Sequence, residues 1–359
     1  MAAGGADQRG NNAATTTFVV PAVALSLGKP MPRVGFGTAT ATLGQAEGRA
    51  GVTEAILRAL DAGYRHFDTA AVYNTEASLG DAVVEAVRAG TVASRDDLYV
   101  TSKLWITDAH PGRVLPALHR TLQNLQMSYV DLFLIHHPVS MRAPADDEAE
   151  GAGPAVVVKK DLVAMDMEGV WEEMEECHRR GLARAIGVSN FSCKKLEHLL
   201  SVAKIPPAVN QVEVNPAGEG QEFLQGQWYP ALRLLCDGCE RHSVGQQLRH
   251  GLPCPQTNRP RSRQNRRPGN QTVCIRWVYE QGDCVIVKSF NQSRMRENLH
   301  IFDWELTDDD HRKISELPES RGNYDFLIHE SGPYKTAQEL WDGEITAGQS
   351  NQTPLVSDD

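Results

Sequence analysis

Short apolar runs alternate with amphipathic stretches along most of the chain. Alternating apolar residues on both sides of Gly28 predict a hairpin that leads into a first strand near residues 33–37. The segment GVTEAILRALDAG then repeats apolar residues at helical spacing and ends on Gly63, which predicts a helix. The next run, YRHFD at 64–68, has the alternation of a short strand.

Strand and helix patterns continue to alternate after that point. Helices are predicted for ASLGDAVVEAVRAG, PGRVLPALHRTLQNLQ, MEGVWEEMEECHRRG and KKLEHLLSVA. Strands are predicted for LYVTSKLW, YVDLFLIHHP, LARAIGVSN and AVNQVEV. Such alternation predicts an α/β fold with a parallel sheet. The order of the motifs described below favours closure of this sheet into a (β/α)8 TIM barrel with an N-terminal β-hairpin.

Four polar side chains come at or just after the ends of successive strand patterns. Asp68 ends YRHFD, and Tyr73 follows it on a loop of small residues. Lys103 lies near the end of LYVTSKLW, and His136 lies near the end of YVDLFLIHHP. The ends of parallel barrel strands face one way, and barrels place their chemistry on that face, so we expect these four residues to meet.

These residue types suit the transfer of a proton to a carbonyl oxygen. A tyrosine has an unperturbed pKa near ~10, and a lysine cation close by stabilises the phenolate and lowers that pKa. Asp68 supplies the counter-charge that a buried Lys103 needs, and His136 is placed to orient the carbonyl. Taken singly, Asp68 is equally well explained as a helix cap and Tyr73 as a half-buried aromatic residue. The ordered set favours the catalytic interpretation.

The contexts FDTAAVY, TSKLW and LIHHP resemble the catalytic tetrad of the aldo-keto reductases. GVSNF, VNQVEVNP and VKSFNQSRMREN resemble the cofactor motifs of that family, and the resemblance runs from about residue 21 to residue 341. The amino-acid sequences of these motifs are similar to those of the plant branch of the family, whose members reduce imino acids, alkaloid ketones and polyketides. The resemblance implies a cytoplasmic, monomeric, NADPH-dependent reductase of an aldehyde, ketone or imine-type small molecule. It implies four catalytic residues: Asp68, Tyr73, Lys103 and His136.

The same resemblance implies a cofactor site and a substrate pocket. The cofactor-binding residues would be Gly37, Thr38, Asp68, Ser189, Asn190, Gln211, Lys288, Ser289, Phe290, Arg294, Glu297 and Asn298. Of these, the serine, asparagine and glutamine would bind the nicotinamide amide, although turn chemistry at strand ends also explains them. Lys288 and Arg294 would meet the extra ribose phosphate of NADPH at a helix start, although a solvated helix explains their charge too. Trp105, His136 and His137 would line the substrate pocket, and the spacing near the histidines shows no zinc pattern.

Composition narrows the class of protein further. The 36 Lys and Arg residues stand against 46 Asp and Glu residues in 359, a formal net charge of −10, which argues against nucleic-acid or anionic-membrane partners. Seven scattered cysteines argue for a reducing compartment, and no apolar run approaches the ~20 residues of a membrane span. We expect disordered tails at 1–17 and 346–359 around one barrel domain at 18–345. Loops at 139–164 and 321–345 are expected to shape substrate choice.

The stretch 217–271 departs from the family pattern. The family has a helix there, followed by a seventh strand whose motif supplies the aromatic ring that stacks on the nicotinamide. This chain has arginine, glutamine, glycine and proline in abundance and no period-2 apolar run long enough for a strand. A barrel without its seventh strand exposes two unpaired edges, so we expect an open or molten barrel with impaired cofactor binding.

Three explanations of this stretch stay open. The first is that the stretch is a shifted reading frame or a retained intron. The second is that the protein is a damaged and catalytically impaired reductase. The third is that the stretch is a genuine insert whose RPRSRQNRR run binds RNA or acts as a localisation signal. The sequence favours the first explanation, because the basic run is short and lacks interleaved aromatic residues. Cys236 and Cys239 form a CxxC without a matching second pair, so we treat that spacing as chance.

Overall fold

The structure is a computed structural model that describes residues 19–40, 48–142, 157–213, 231–235, 270–316 and 324–344. The predicted tails at 1–17 and 346–359 lie outside the described residues. The same holds for 217–230 and 236–269 within the divergent stretch.

Eight parallel strands of the described chain close into a barrel. Four short strands of the described chain lie outside this barrel, in two pairs. All of these strands in chain order are β1 (Ala22–Val23), β2 (Met31–Pro32), β3 (Val34–Gly37), β4 (His66–Asp68), β5 (Tyr99–Leu104), β6 (Val130–Ile135), β7 (Ser140–Met141), β8 (Leu162–Val163), β9 (Ala183–Ser189), β10 (Asn210–Glu213), β11 (Ala231–Leu235) and β12 (Cys284–Val287). The pairs outside the barrel are β1–β2 and β7–β8. The ring runs β3-β4-β5-β6-β9-β10-β11-β12 and returns to β3, and all of its ladders are parallel. The predicted (β/α)8 fold is therefore confirmed.

Helices connect the barrel strands and cover their outer side. They are α1 (Gly48–Ala62), α2 (Glu76–Arg88), α3 (Val114–Leu125), α4 (Met167–Arg179), α5 (Cys193–Val202), α6 (Asn270–Glu280), α7 (Gln292–Leu299), α8 (Asp308–Ser315) and α9 (Ala337–Leu340). The five helices predicted from apolar periodicity correspond to α1–α5. Ser192 caps α5 by accepting the Lys195 backbone N–H at 3.2 Å, which fixes where that helix starts. None of the helices in the described residues is long and apolar enough to cross a membrane.

The predicted N-terminal hairpin covers the floor of the barrel. β1 pairs antiparallel with β2, and Gly28 takes a left-handed φ of 74° in the turn between them. From this turn, Lys29 Nζ donates to the carbonyl oxygen of Leu98 at 2.7 Å and contacts the carboxylate of Asp131 at 3.0 Å. Asp131 also binds Arg95 at 2.7 Å. These contacts lie at the amino ends of β5 and β6, so the opposite face of the barrel is left for the site.

The expectation of a missing seventh strand is wrong. β11 pairs in parallel with β10 from Asn210↔Ala231 onward and with β12 from Leu232↔Cys284 onward, and this closes the ring. Its sequence ALRLL is nearly continuous in apolar residues. Strands of a parallel sheet are covered on both faces and read as such runs, so the search for alternation missed it. The barrel has no unpaired edge at this point.

The two loops expected to shape substrate choice lie together over one face of the barrel. The ends of the 139–164 loop form the β7–β8 ribbon, while 143–156 lie outside the described residues. This ribbon and the segment 324–344 pack into one apolar cluster with residues from the ends of β4 and β5. Its buried members are Ala70, Val72, Trp105, Ile106, Val139, Met141, Leu162, Leu327, Leu340 and Trp341.

Candidate active site

The four predicted catalytic side chains meet at the carboxyl ends of β4, β5 and β6. Asp68 is the last residue of β4, and Tyr73 ends a 3₁₀ turn, Ala71–Tyr73, that follows it. Lys103 lies one residue before the end of β5, and His136 directly follows β6. The strand ends bring these residues to one edge, as the sequence predicted.

A buried ion pair forms the base of the site. Lys103 Nζ lies 2.5 Å from Asp68 Oδ1, and the two side chains are 0% and 1% exposed. The ammonium group also donates to the carbonyl oxygen of Thr69 at 3.0 Å. The second carboxylate oxygen of Asp68 accepts from Gln211 Nε2 at 2.8 Å. With both oxygens committed in this way, Asp68 is the counter-ion of a buried lysine and not a helix cap.

Tyr73 lies between this ion pair and His136. Lys103 Nζ is 4.9 Å from the centroid of the Tyr73 ring, and Tyr73 Oη is 3.5 Å from His136 Nε2. Burial lowers the pKa of His136 well below its ordinary value, and electrostatic interaction with His137 and with the Lys103 cation lowers it further. His136 is therefore uncharged at neutral pH and offers one donor and one acceptor beside the tyrosine hydroxyl.

Aromatic rings line the space next to this pair. His137 stacks on His136 with centroids 4.7 Å apart, and burial lowers the pKa of His137 to about 3. The Trp105 ring lies 5.3 Å from the His136 ring and 5.7 Å from the His137 ring. The three residues predicted to line the pocket are thus brought together beside Tyr73.

The residues predicted to hold the nicotinamide amide lie across the barrel from Tyr73. Ser189 ends β9, Asn190 follows it with a left-handed φ of 61°, and Gln211 lies in β10. Ser189 Oγ donates to the Gln211 carbonyl oxygen at 2.8 Å. Gln211 Oε1 is buried and accepts no hydrogen bond from the residues that the structure describes. A carboxamide N–H₂ would satisfy that acceptor, so these residues fit the nicotinamide.

The remaining predicted cofactor residues lie at the ends of β3 and β12 and on α7. Thr38 follows β3 and donates from its backbone N–H to the Asp68 carbonyl oxygen at 3.0 Å. A Cβ atom added to Gly37 would lie 3.8 Å from Lys288 Cβ, so β3 and β12 end side by side. The members of this group beyond β12 lie on the turn into α7 or on that helix: Lys288, Ser289, Phe290, Arg294, Glu297 and Asn298.

Side-chain hydrogen bonds hold the turn into α7 and cap the helix. Asn291 caps the helix by accepting the Arg294 backbone N–H at 3.1 Å. Arg294 Nε donates to Ser289 Oγ at 3.1 Å, and Lys288 Nζ lies 5.5 Å from the Phe290 ring. Two cations beside a helix start make a site that suits a phosphate.

The segment 324–344 contributes functional residues that sequence reasoning did not name. Tyr324 and Phe326 contact the His137 ring edge-on, with centroids at 6.3 and 5.5 Å. Tyr324 Oη also donates to Asn190 Oδ1 at 3.1 Å. The sequence offered only the loop as a whole, because nothing local shows which aromatic residues of RGNYDFLIHESGPY reach the site.

A closed parallel barrel with a lysine, a carboxylate, a tyrosine and a neutral histidine at its carboxyl face defines the class of the protein as a barrel oxidoreductase. The chain belongs to the aldo/keto reductase family, whose model matches residues 33–225. It is an NADP-dependent oxidoreductase of that family.

Relatives and solved structures agree with this assignment. Deoxymugineic acid synthase 1-A of Triticum aestivum is 51% identical over 319 residues, which cover 88% of this chain and 97% of the relative. NADPH-dependent codeinone reductase 1-4 of Papaver somniferum is 45% identical, over 90% of this chain and 98% of its own. The crystal structure of a Bombyx mori aldo-keto reductase in complex with NADP is similar with a TM-score of 0.66 and 30% identity, covering 83% of this chain and 92% of its own.

Proposed function

We propose that the protein reduces the carbonyl group of an aldehyde, ketone or imine-type small molecule, with Tyr73 as the proton donor. NADPH supplies the hydride that reaches the carbonyl carbon. The observation that carries the proposal is the arrangement around Tyr73, with the buried Lys103–Asp68 pair on one side and His136 3.5 Å from its hydroxyl on the other.

Each residue has a separate task in this reaction. Tyr73 gives its phenolic proton to the oxygen of the reduced carbonyl and is left as a phenolate. Lys103 stabilises that phenolate by its charge. Asp68 balances the charge of the lysine while Tyr73 is still protonated. His136 donates a hydrogen bond to the substrate oxygen and holds it next to the tyrosine hydroxyl.

The residues on the far side of the barrel hold the cofactor in this proposal. Gln211 Oε1, together with Ser189 and Asn190, binds the nicotinamide amide. Lys288 and Arg294 bind the phosphate that distinguishes NADPH from NADH. Support comes from Gln211 Oε1, a buried acceptor that has no partner in the described part of the chain, and from the two cations at the start of α7.

The similarity to plant relatives supports a specialised small-molecule substrate. The names of those relatives, a deoxymugineic acid synthase and a codeinone reductase, cover two different substrates. The segment 324–344 and the β7–β8 ribbon that cover the pocket are the parts of this chain that would choose between such compounds.

We place the protein in the cytoplasm as a monomer. Cys177, Cys274 and Cys284 are thiols that form no disulfide among the residues that the structure describes. Free thiols are the normal state in a reducing compartment.

Turnover of NADPH with 4-nitrobenzaldehyde tests the proposal. We expect loss of NADPH absorbance that depends on the aldehyde, and formation of the corresponding alcohol in equal amount. A purified protein that binds NADPH but forms no alcohol from a panel of aldehydes and ketones, and no amine from a panel of imines, would support the impaired enzyme instead.

A further inference from the structure

Asn190 connects three parts of the site through one side chain. Its Nδ2 donates to the carbonyl oxygen of His136 at 2.8 Å and to Ser189 Oγ at 3.1 Å. Its Oδ1 accepts from Tyr324 Oη at 3.1 Å. The residue is 7% exposed and has a left-handed backbone, so its side chain has little freedom to change partners.

Tyr324 brings the C-terminal segment to this point. Its ring lies against His137, Phe326 and Trp341, with centroids 6.3, 6.4 and 5.2 Å away. The ring packing places the phenol, whose hydroxyl donates to Asn190 Oδ1, and the His136 carbonyl oxygen fixes which way the amide points. A reversed amide would present Nδ2 to the tyrosine and Oδ1 to the His136 carbonyl oxygen, which cannot donate.

A second set of contacts fixes the same segment just beyond Asn190. Lys195 Nζ lies 2.5 Å from Asp342 Oδ2 and donates to the Leu340 carbonyl oxygen at 2.6 Å. Ser192 Oγ donates to the same carboxylate oxygen at 2.5 Å. The segment is thus attached at both ends of the 190–195 stretch, and it cannot leave the pocket without releasing Asn190.

We propose that Tyr324 is a positioning residue that couples docking of the segment 324–344 to the binding of the nicotinamide. The proposal rests on the proposed function, because it assigns the amide site to Ser189, Asn190 and Gln211. Tyr324 acts through Asn190, which holds both the amide site and the backbone of the substrate-orienting His136. The coupling is reciprocal: a docked segment favours the cofactor, and the bound cofactor favours the docked segment.

Tyr324→Phe tests the coupling, because it removes the hydroxyl and keeps the ring. Tyr334→Phe is the matched control. Tyr334 Oη lies in the same segment and donates to the carbonyl oxygen of Pro138 at 3.0 Å, but it does not reach Asn190. Each variant removes one phenolic hydrogen bond of the segment: Tyr324 bonds to the loop after β9, and Tyr334 bonds to the loop after β6.

The first measurement is NADPH affinity without any substrate, by quenching of protein fluorescence. We expect Tyr324→Phe to raise the dissociation constant about three- to tenfold, the range that the loss of one hydrogen bond gives. Tyr334→Phe should raise it by less than half that factor. An equal effect of the two variants, or no effect of Tyr324→Phe, overturns the proposal.

The second measurement is amide hydrogen exchange of residues 324–344 with and without saturating NADPH. In the wild type, NADPH should slow exchange of the segment by about the factor by which the Tyr324 hydroxyl strengthens NADPH binding. The slowing should be lost in Tyr324→Phe and kept in Tyr334→Phe. Slowing that persists in Tyr324→Phe contradicts the coupling.

Steady-state rates separate this role from direct substrate contact. A residue that acts through Asn190 should lower kcat/KM by a similar factor for glyceraldehyde and for 4-nitrobenzaldehyde, whereas a pocket wall should affect the larger aldehyde differently. If the wild type shows no turnover, the proposed function fails, while the two binding measurements still decide the coupling. If the wild type turns over and the two variants behave alike, only the coupling fails.

Discussion

At the scale of single residues, the charge state of each group around Tyr73 decides what it can do. Asp68 and Lys103 neutralise each other in a fully buried pair. His136 is held uncharged by burial and by the nearby Lys103 cation, so it can donate to a carbonyl oxygen without competing as an acid. We therefore assign the transferred proton to Tyr73 in the proposed reaction.

Tyr73→Phe should abolish reduction and leave NADPH affinity almost unchanged. General acid catalysis is worth roughly 10² to 10⁴-fold, and phenylalanine keeps the ring that contacts His136 and Lys103. Stopped-flow measurement of the chemical step, with NADPH affinity measured in parallel, checks this. Tyr99→Phe is the control, because Tyr99 lies at the opposite end of β5 and its Oη has no hydrogen-bond partner among the described residues. Most of the turnover surviving in Tyr73→Phe would assign the proton to another group.

Cofactor choice is expected to rest on Lys288 and Arg294. Replacing both with methionine should weaken NADPH at least tenfold and hardly change NADH, since only NADPH carries the phosphate that forms charge-assisted hydrogen bonds. Titration of each cofactor with the purified variant is the measurement. Arg296→Met, an exposed cation on the same helix, should leave the ratio of the two affinities as it was. Equal weakening of both cofactors would place the phosphate elsewhere.

At the scale of secondary structure, β11 decides whether the barrel is closed. It is five residues long and is bonded on both sides, to β10 and to β12. In the family, this region carries the aromatic ring that stacks on the nicotinamide and the backbone that wraps the cofactor. In this chain, the stretches on either side of β11 lie outside the described residues. That those stretches impair cofactor binding stays a prediction. The expectation of an open barrel is wrong, because the ring of described strands is closed.

Hydrogen exchange and a proline substitution test this strand. The backbone amides of 231–235 should be protected to a degree similar to those of β10 and β12, because all three share one ladder. Leu234→Pro should remove a ladder hydrogen bond inside the ring and lower stability by at least about 1 kcal/mol, the net contribution of one hydrogen bond. Leu234→Val, which keeps the backbone donor, is the control. Exchange at the rate of an unfolded peptide would mean that this segment is not a strand.

At the scale of the whole molecule, buried histidines tie stability to pH. Burial lowers the pKa of His66 to about 4 and that of His137 to about 3, and it lowers the pKa of His136 as well. The unfolded chain protonates these groups below its ordinary pKa near 6.5, and the folded chain does not until the pH is much lower. The unfolded state therefore binds more protons, and stability falls as the pH drops below about 6.5.

The free energy of unfolding should therefore decrease between pH 7.5 and pH 5.5. Each histidine contributes about 1 kcal/mol to this loss, because one pKa unit corresponds to ~1.4 kcal/mol. Urea denaturation at the two pH values measures it. His137→Phe should remove about a third of the pH dependence, since the phenylalanine ring keeps the stacking without a titrating group. A stability that is flat over this range would show that these rings titrate alike in both states.

The sequence by itself determined the alternating elements and the edge at which the catalytic residues meet. Apolar periodicity is a local property, so α1–α5 and their neighbouring strands could be predicted from residues close in the chain. Asp68, Lys103 and His136 end successive strands, and parallel strands end on one face, so topology alone brings them together. β11 was missed because its sequence ALRLL is a short, nearly continuous apolar run with no sustained alternation to detect.

Only the tertiary structure decided which distant side chains complete the site. Tyr324 reaches Asn190 across 134 residues of chain, and Gln211 reaches Asp68 across 143. No sequence spacing or motif predicts either bond, because the geometry of each comes from closing the barrel and docking the C-terminal segment over its face. Local pattern fixes what each element is, and the packing of the closed ring fixes which residues touch.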